Sequence, residues 1–411
     1  MLPQTEFSEL VPSQTNSASP CGETHQQGAV TVSILRTLPE LESIRNTWTR
    51  WQRHPNSDID FYLKVLAMRP GSRPHVIVLY RDGRPEAMLI GRVCDEQIEC
   101  RIGYKVLWRP RKRHLTFIYS GQLGNFSSEN CKVFIQEIKD SLRRDEAVVA
   151  WLHFIREGSP LCELAQHASS PFCRDYSPSV QVHRSTTLQD SVEAFYQVLS
   201  PKVRKNQKWQ ARKILEHFGG NVTIRCFREN IELDCMFRDV EEVAKKTYQR
   251  GMGVGFQSNQ EMREHFELQA GNGWLRAYVL YLESTPAAFW IGDVYQQTFY
   301  SHFMGYDPVF AKHSPGMYLI MQTVESFCAE GKVRQIDWGL GDAQYKDVLG
   351  TSEWMEASFY LFAPTVSGLT LNLLRTPAAL VDDLAKSALA HSSLLSRIKK
   401  SWRGSLRKGN G

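Results

Sequence analysis

No stretch of the 411 residues supplies the roughly 20 predominantly apolar side chains that a membrane-spanning helix needs. The nearest approach, residues 357–374, is interrupted by Pro364, Gly368 and several hydroxyl side chains, and it reads as a core strand leading into a helix. The nine cysteines contain no C-x-x-C pair, and their odd number and irregular spacing indicate neither a zinc site nor a disulfide framework; a reducing cytoplasm fits them best. Residues 1–28 lack both the basic start and the apolar run of a secretory signal, and their polar composition reads as a disordered leader. Acid is missing after His391, where Arg397, Lys399, Lys400, Arg403, Arg407 and Lys408 supply more positive charge than the chain's net +5. Without that tail the body is close to neutral, which argues against a polybasic nucleic-acid binder.

What is present points to two folded units. A chain of this length exceeds the roughly 250 to 300 residues at which a single core stops growing. Residues 78–93 read VLYRDGRPEAMLIGRV and residues 279–294 read VLYLESTPAAFWIGDV, aligned without a gap at an offset of 201. Each copy has the pattern of a β-hairpin, turning at Asp82-Gly83 or Ser284-Thr285 and ending its second apolar run at Gly91 or Gly292. Helical periodicity follows in both places, over 128–144 and 315–330, each before another strand. Strands interleaved with helices in this order predict an α/β (α+β) fold with mixed central sheets. The expected division is a leader at 1–28, an N-terminal unit at 29–180, a second unit at 181–363 and a helical basic tail at 364–411, with the linker near 177–187.

The best-specified local feature is Lys312-His313-Ser314-Pro315-Gly316-Met317. Ser314 suits an N-cap, Pro315 suits the first helical position, and Met317, Ile320, Met321, Val324, Phe327 and Cys328 form an apolar stripe that stops at Gly331. Such a start directs unpaired amides and the positive end of the helix dipole outward, where Gly316 admits an anion and Lys312 would help hold it; an ordinary capped helix gives the same pattern. Strand-like runs flank it at 298–304 and 334–338, and the second leads into Gly339-Leu340-Gly341 and then Tyr345-Lys346. The corresponding part of the first unit, Tyr119-Ser120-Gly121-Gln122-Leu123-Gly124, has no Ser-Pro-Gly and no basic helix start. One working half and one degenerate half follow from that contrast.

From about residue 178 to 361 the chain resembles the GNAT-fold acyltransferases associated with cellulose or exopolysaccharide biosynthesis, distant relatives of the Fem-type aminoacyl transferases. The residues that carry the likeness are Ser177-Pro178, Leu199-Ser200 with Arg204, Gly305-Tyr306-Asp307, Ser314-Pro315-Gly316, Asp337-Trp338-Gly339 with Gly341, and Tyr345-Lys346. It implies tandem GNAT-like domains in which two strands, 298–304 and 334–338, part to admit a pantetheine arm. The pyrophosphate of an acyl-CoA would then rest on Lys312, Ser314, Gly316 and Met317, with no metal. The usual Gln or Arg followed by G-x-G or G-x-A is not spelled here, and the Fem relatives draw their acyl group from aminoacyl-tRNA.

Acyl transfer needs a base for the acceptor and a proton for the leaving thiolate. Asp337 is the first candidate for base, although an Asp there also suits a cap for the Gly339–Gly341 turn. His302 is a candidate proton relay or a structural strand histidine, Tyr345 a thiolate acid or a packing ring, and Lys346 a phosphate ligand or a solvated charge. Glycines at 251, 253 and 255 follow a helix rather than a strand, so they read as a loop and not a dinucleotide fingerprint. The basic run at 201–213 and the cluster from Trp108 to His114 suit either an anionic partner or a solvated face. The expected activity is transfer of an acyl group from acyl-CoA to an amine or hydroxyl of a saccharide or cell-envelope precursor, in the cytoplasm, with possible inner-membrane contact through the basic tail. The alternatives are a Fem-like tRNA-dependent transferase and a non-catalytic partner of a polysaccharide synthase.

Overall fold

The computed structural model describes residues 29–102, 105–167, 170–247, 250 and 255–390. The leader at 1–28, the glycine loop at 251–254 and the basic residues beyond 390 therefore lie outside the described residues. The first half runs β1 (Val30–Leu35), α1 (Leu38–Ser43), α2 (Arg45–Trp51), α3 (Ile59–Ala67), β2 (Arg73–Arg81), β3 (Arg84–Gln97), β4 (Cys100–Ile102), β5 (Lys105–Trp108), β6 (Arg111–Gly124), α4 (Ser128–Arg143), β7 (Val149–Arg156), α5 (Pro160–His167) and β8 (Ser179–Thr187). The second runs α6 (Val192–Val198), α7 (Pro201–His217), β9 (Val222–Phe227), α8 (Leu233–Ala244), α9 (Gln260–Gly271), β10 (Leu275–Leu282), β11 (Thr285–Tyr295), β12 (Thr298–Tyr306), α10 (Pro315–Glu330), β13 (Gln335–Leu340), α11 (Gln344–Leu349), β14 (Ser352–Phe362) and α12 (Val366–Ala390).

The sequence repeat is a structural repeat. Val78 faces Met88 in the first hairpin and Val279 faces Phe289 in the second, with the same register slip after Leu79 and after Leu280. Both turns hold two consecutive residues at positive φ, Asp82-Gly83 and Glu283-Ser284, which is the twist a two-residue hairpin requires. The second turn thus lies one residue earlier than the sequence pattern suggests. Gly91 and Gly292 stand where strands press together: a Cβ on Gly91 would lie 2.8 Å from the Phe117 ring, and one on Gly292 would lie 2.6 Å from the Phe299 ring.

All the long strands form one 12-stranded mixed sheet, ordered β1-β2-β3-β6-β7-β14-β8-β13-β12-β11-β10-β9. Within it β6 pairs β7 in parallel, as β12 pairs β13, so the two halves repeat the same order. Their last strands are exchanged. The first half's β8 pairs β13 of the second, the second half's β14 pairs β7 of the first, and β8 and β14 pair with each other at the centre. This corrects the expected linker near 177–187: most of that segment is β8, a central strand bonded on both sides, because the sheet would otherwise be split there. Separate cores pack on the two faces of each half, one around Phe134 and Ile138 of α4, one around Leu319 and Val324 of α10.

Candidate active site

In both halves the parallel strands are bonded only at their starts. The β12–β13 register covers Thr298 to Tyr300 against Gln335 to Asp337, after which β12 bulges at His302 and β13, paired with β8 throughout, slips register at Trp338 before Gly339 and Leu340 meet Arg184 and His183. Trp290 and Trp338 stack at 5.3 Å on the core side of this division. Their indole N–H groups are spent on Ser301 Oγ and Thr186 Oγ1, so both rings are fixed. The expected parting of the two strands is therefore present.

At the start of α10 the backbone differs in detail from the sequence reading. Ser314 sits in the left-handed region (φ 51°) and makes no side-chain cap, so its expected role as N-cap hydroxyl is corrected; its carbonyl instead accepts from Tyr318 N–H at 3.1 Å. Among the described residues nothing accepts from the amides of Gly316 and Met317, and Pro315 has none to offer. With no hydroxyl competing, these two amides face outward at the positive end of a 16-residue helix. Lys312 is exposed one turn earlier, in the 3-10 segment Pro308–His313. A Cβ on Gly316 would meet Tyr306 at 3.5 Å, which places this anion seat against the end of β12.

The first half has no such seat. Ser127 Oγ accepts from the α4 amide of Asn130, and Glu86 receives the side chains of Asn125 and Asn130 at the same helix start. A carboxylate there opposes a phosphate. The degenerate half of the sequence reading thus has a physical basis.

Where β12 and β13 part, two imidazole–carboxylate pairs lie close enough for the Asp337 charge to act on His302. Asp337 Oδ1 accepts from His183 Nε2 at 2.7 Å and from Gly339 N–H at 2.7 Å, so it both orients a histidine and caps the turn. His183 is 1% exposed and stacks on Trp354 at 4.4 Å. Burial disfavours charge on this ring, but its hydrogen bonds to Asp337 and Glu356 outweigh that and raise its pKa to about 9. With both ring nitrogens protonated, Nδ1 can only donate, and its proton is shared between the Tyr119 hydroxyl at 3.2 Å and Glu356 Oε1 at 3.4 Å. Burial and the Asp337 charge hold the Tyr119 phenol well above its ordinary range.

The second pair lies on β12 and β11. His302 Nε2 meets Asp293 Oδ2 at 2.7 Å; the His302 side chain is 30% exposed and Asp293 is buried behind it, steadied by Gln269 Nε2 at 2.8 Å. Burial opposes the His302 charge, yet Asp293 prevails and its pKa is raised. His54, from the first half, sits edge-on between Tyr119 and Tyr300 at 5.1 and 4.5 Å, and burial lowers its pKa to about 3, leaving it neutral. The charges of Asp337, His302 and His183 all act on it.

Of the sequence candidates, Asp337 and His302 come near each other, and Gly316 and Met317 lie at the helix start beside Tyr306, at the far end of the strand that carries His302. Lys346 is not a solvated charge. It is buried, its Nζ donates to the carbonyls of Gly339 and Leu340 at 3.1 and 2.7 Å, and burial lowers its pKa to about 8. Tyr345 packs against the Trp338 ring at 5.7 Å in the second half's core. Sequence reasoning missed His183, Asp293, Tyr119 and His54. A signal for Asp293 existed: inside the repeat, the first copy carries Arg92 at the matching position.

Residues 201–347 match the model of the acetyltransferase (GNAT) domain family. That segment runs from α7 into α11 and contains β12, α10 and β13, so the parted strands and the helix start belong to a GNAT-type acyltransferase fold, repeated with a degenerate copy in the first half. No curated protein matches the sequence. Among solved structures, a tandem GNAT protein from the clavulanic acid biosynthesis pathway is similar at 10% identity, over 82% of this chain and 99% of that one, with a TM-score of 0.47. FemX is similar at 9% identity over 71% and 88% of the two chains, with a TM-score of 0.46. The C-terminal domain of a putative lysylphosphatidylglycerol synthetase from Agrobacterium fabrum gives 10%, 82% and 95%, with a TM-score of 0.45. No described helix is long and apolar enough to cross a membrane, and no described group of His, Cys, Asp and Glu is placed to hold a metal ion.

Proposed function

We propose that this chain transfers an acyl group from an acyl-CoA to an amine or hydroxyl of a saccharide or cell-envelope precursor in polysaccharide biosynthesis, in the cytoplasm. The observation that carries the reading is the free amide pair of Gly316 and Met317 beside parted strands, with His302, paired to Asp293, on one of those strands, β12. Acyl-CoA enters as a co-substrate: its diphosphate suits the amides and Lys312, and its pantetheine arm the gap between β12 and β13.

His302 acts as base. Its Nε2–H is held by Asp293, so Nδ1 takes the acceptor's proton as the acceptor lone pair adds to the thioester carbonyl carbon. The C–S bond then breaks, and the thiolate takes the Tyr119 proton while Tyr119 takes one from His183 Nδ1. An imidazolium near pH 9 is well matched to a thiol of ordinary pKa near 8.5, and Asp337 keeps the ring oriented throughout. Because Tyr119 and His183 belong to the first half, the second half alone lacks part of the machinery.

The test is calorimetry with CoA and acetyl-CoA on the protein and on Gly316→Asp, followed by thiol release in the presence of RNase. Heat lost in the variant and RNase-insensitive release support the reading. A Fem-like tRNA donor is favoured by one observation: among the described residues Lys202, Arg204, Lys205, Lys208, Arg212 and Lys213 of α7 make no ion pair, and α7 packs beside α10. In that case activity requires RNA and falls steeply with salt. Absence of both donors' binding leaves the non-catalytic synthase partner. Mass spectrometry of envelope glycans from cells lacking the protein would identify the acceptor by a missing ester or amide.

A further inference from the structure

Helix α12 is apolar on two opposite sides. Leu371 packs inward with Ile98, Val149 and Phe362, while the Asn372 amide holds the carbonyls of Phe172 and Arg174. On the reverse side Val366, Leu369, Leu373 and Leu380 follow one another at helical spacing and face solvent, Val366 at 84% and Leu373 at 72% exposure. Phe172, held beside the helix by Asn372, is 76% exposed. From Val366 to Val381 the chain carries a single charge, Arg375, and that is paired with Asp175. A solvent-facing helix surface without free charge lacks what keeps such faces in water.

The surroundings are cationic and aromatic. Strand β4 packs on α12 and pairs with β5, which ends at exposed Trp108; exposed Arg111 follows, while Arg109 is paired with Glu99 at 3.0 Å. Beyond the helix, the sequence has six cations and no acid after His391. An apolar stripe on a helix packed beside strands that lead to an exposed indole and arginine, in a chain that continues into six cations, has the composition of a face lying in a membrane interface. We propose that the outward face of α12 docks on an anionic lipid bilayer, with the protein lying on the membrane and not spanning it. A second copy of the chain suits the face less well, because a two-fold contact would bring the same cations together. This inference does not depend on acyl transfer.

The experiment is co-sedimentation of the full chain with vesicles of phosphatidylcholine alone and of phosphatidylcholine mixed with phosphatidylglycerol. Binding to the mixed vesicles only, weakened by salt, is expected. Val366→Glu with Leu373→Glu should lower the partition roughly ten-fold or more. Both positions are exposed, so the far-ultraviolet circular dichroism stays unchanged; Leu373→Ser supplies a milder second variant with a smaller loss. Equal binding of the doubly charged variant overturns the proposal. So does equal binding to both vesicle types, or a dimer in ultracentrifugation that the variant dissociates while wild type ignores vesicles.

Discussion

The charge on His183 can be tested through Asp337→Asn, which removes the carboxylate while keeping its shape. An unfolded histidine titrates near pH 6.5 and the folded ring near 9, so protonation favours the fold by about 3 kcal/mol at roughly 1.4 kcal/mol per unit. The pKa is raised on folding, so this stability is fully present below about pH 6.5 and is lost as pH climbs through 9. In Asp337→Asn burial meets less opposition and the pKa falls. Histidine ring resonances followed by NMR against pH should show one group near 9 in the wild type and none in the variant. Urea unfolding at several pH values should show a gap of about 3 kcal/mol between wild type and variant near pH 6.5 that closes towards pH 9.5. A gap that stays constant with pH would mean that Asp337 acts only through the Gly339 amide and that His183 is neutral, and the proton route through Tyr119 would fall with it.

His302→Gln should lower kcat/KM by about 10²–10⁴-fold in a thiol-release assay, and Asp293→Asn should move the acid limb of the pH profile downward, since Asp293 is what raises the His302 pKa. Tyr119→Phe should lower kcat with little change in KM, showing that a first-half residue acts in the second-half chemistry. Gly316→Ala should bind CoA normally, because the new Cβ meets Tyr306 only at 3.5 Å, whereas Gly316→Asp should weaken binding at least roughly ten-fold by calorimetry. Lys346→Met should destabilise the protein by about 1–3 kcal/mol in denaturant, through two orphaned carbonyls, and leave CoA affinity unchanged.

The duplication was legible because a hairpin is local. Alternation, turn residues and the glycines at 91 and 292 are set within a short window, and the same register recurs in both copies. The helix at 315–330 was legible for the same reason, its proline start and glycine stop being adjacent in sequence to the residues they bound. Ser314 shows the limit even here: the 3-10 turn leading into it forces a left-handed backbone that takes its hydroxyl away from the cap position. His183 was not legible at all. It stands in a segment whose composition suits a connection, and only the exchange of β8 and β14 brings it between Asp337 and Tyr119.

Neighbours along the chain were enough to specify the repeat, the α/β character, the helix start with its unpaired amides and the loss of that start in the first half. The tertiary structure alone decided which half supplies which group: that Lys346 is sealed under a turn, that Asp293 rather than Asp337 backs the exposed histidine, and that His54 and Tyr119 reach across from the other half. The reach of His54 and Tyr119 to the second half depends on which distant strands lie side by side, and no local propensity encodes that; the Asp293–His302 and Lys346 contacts are close in sequence and depend on how the hairpin and the turn after β13 fold back.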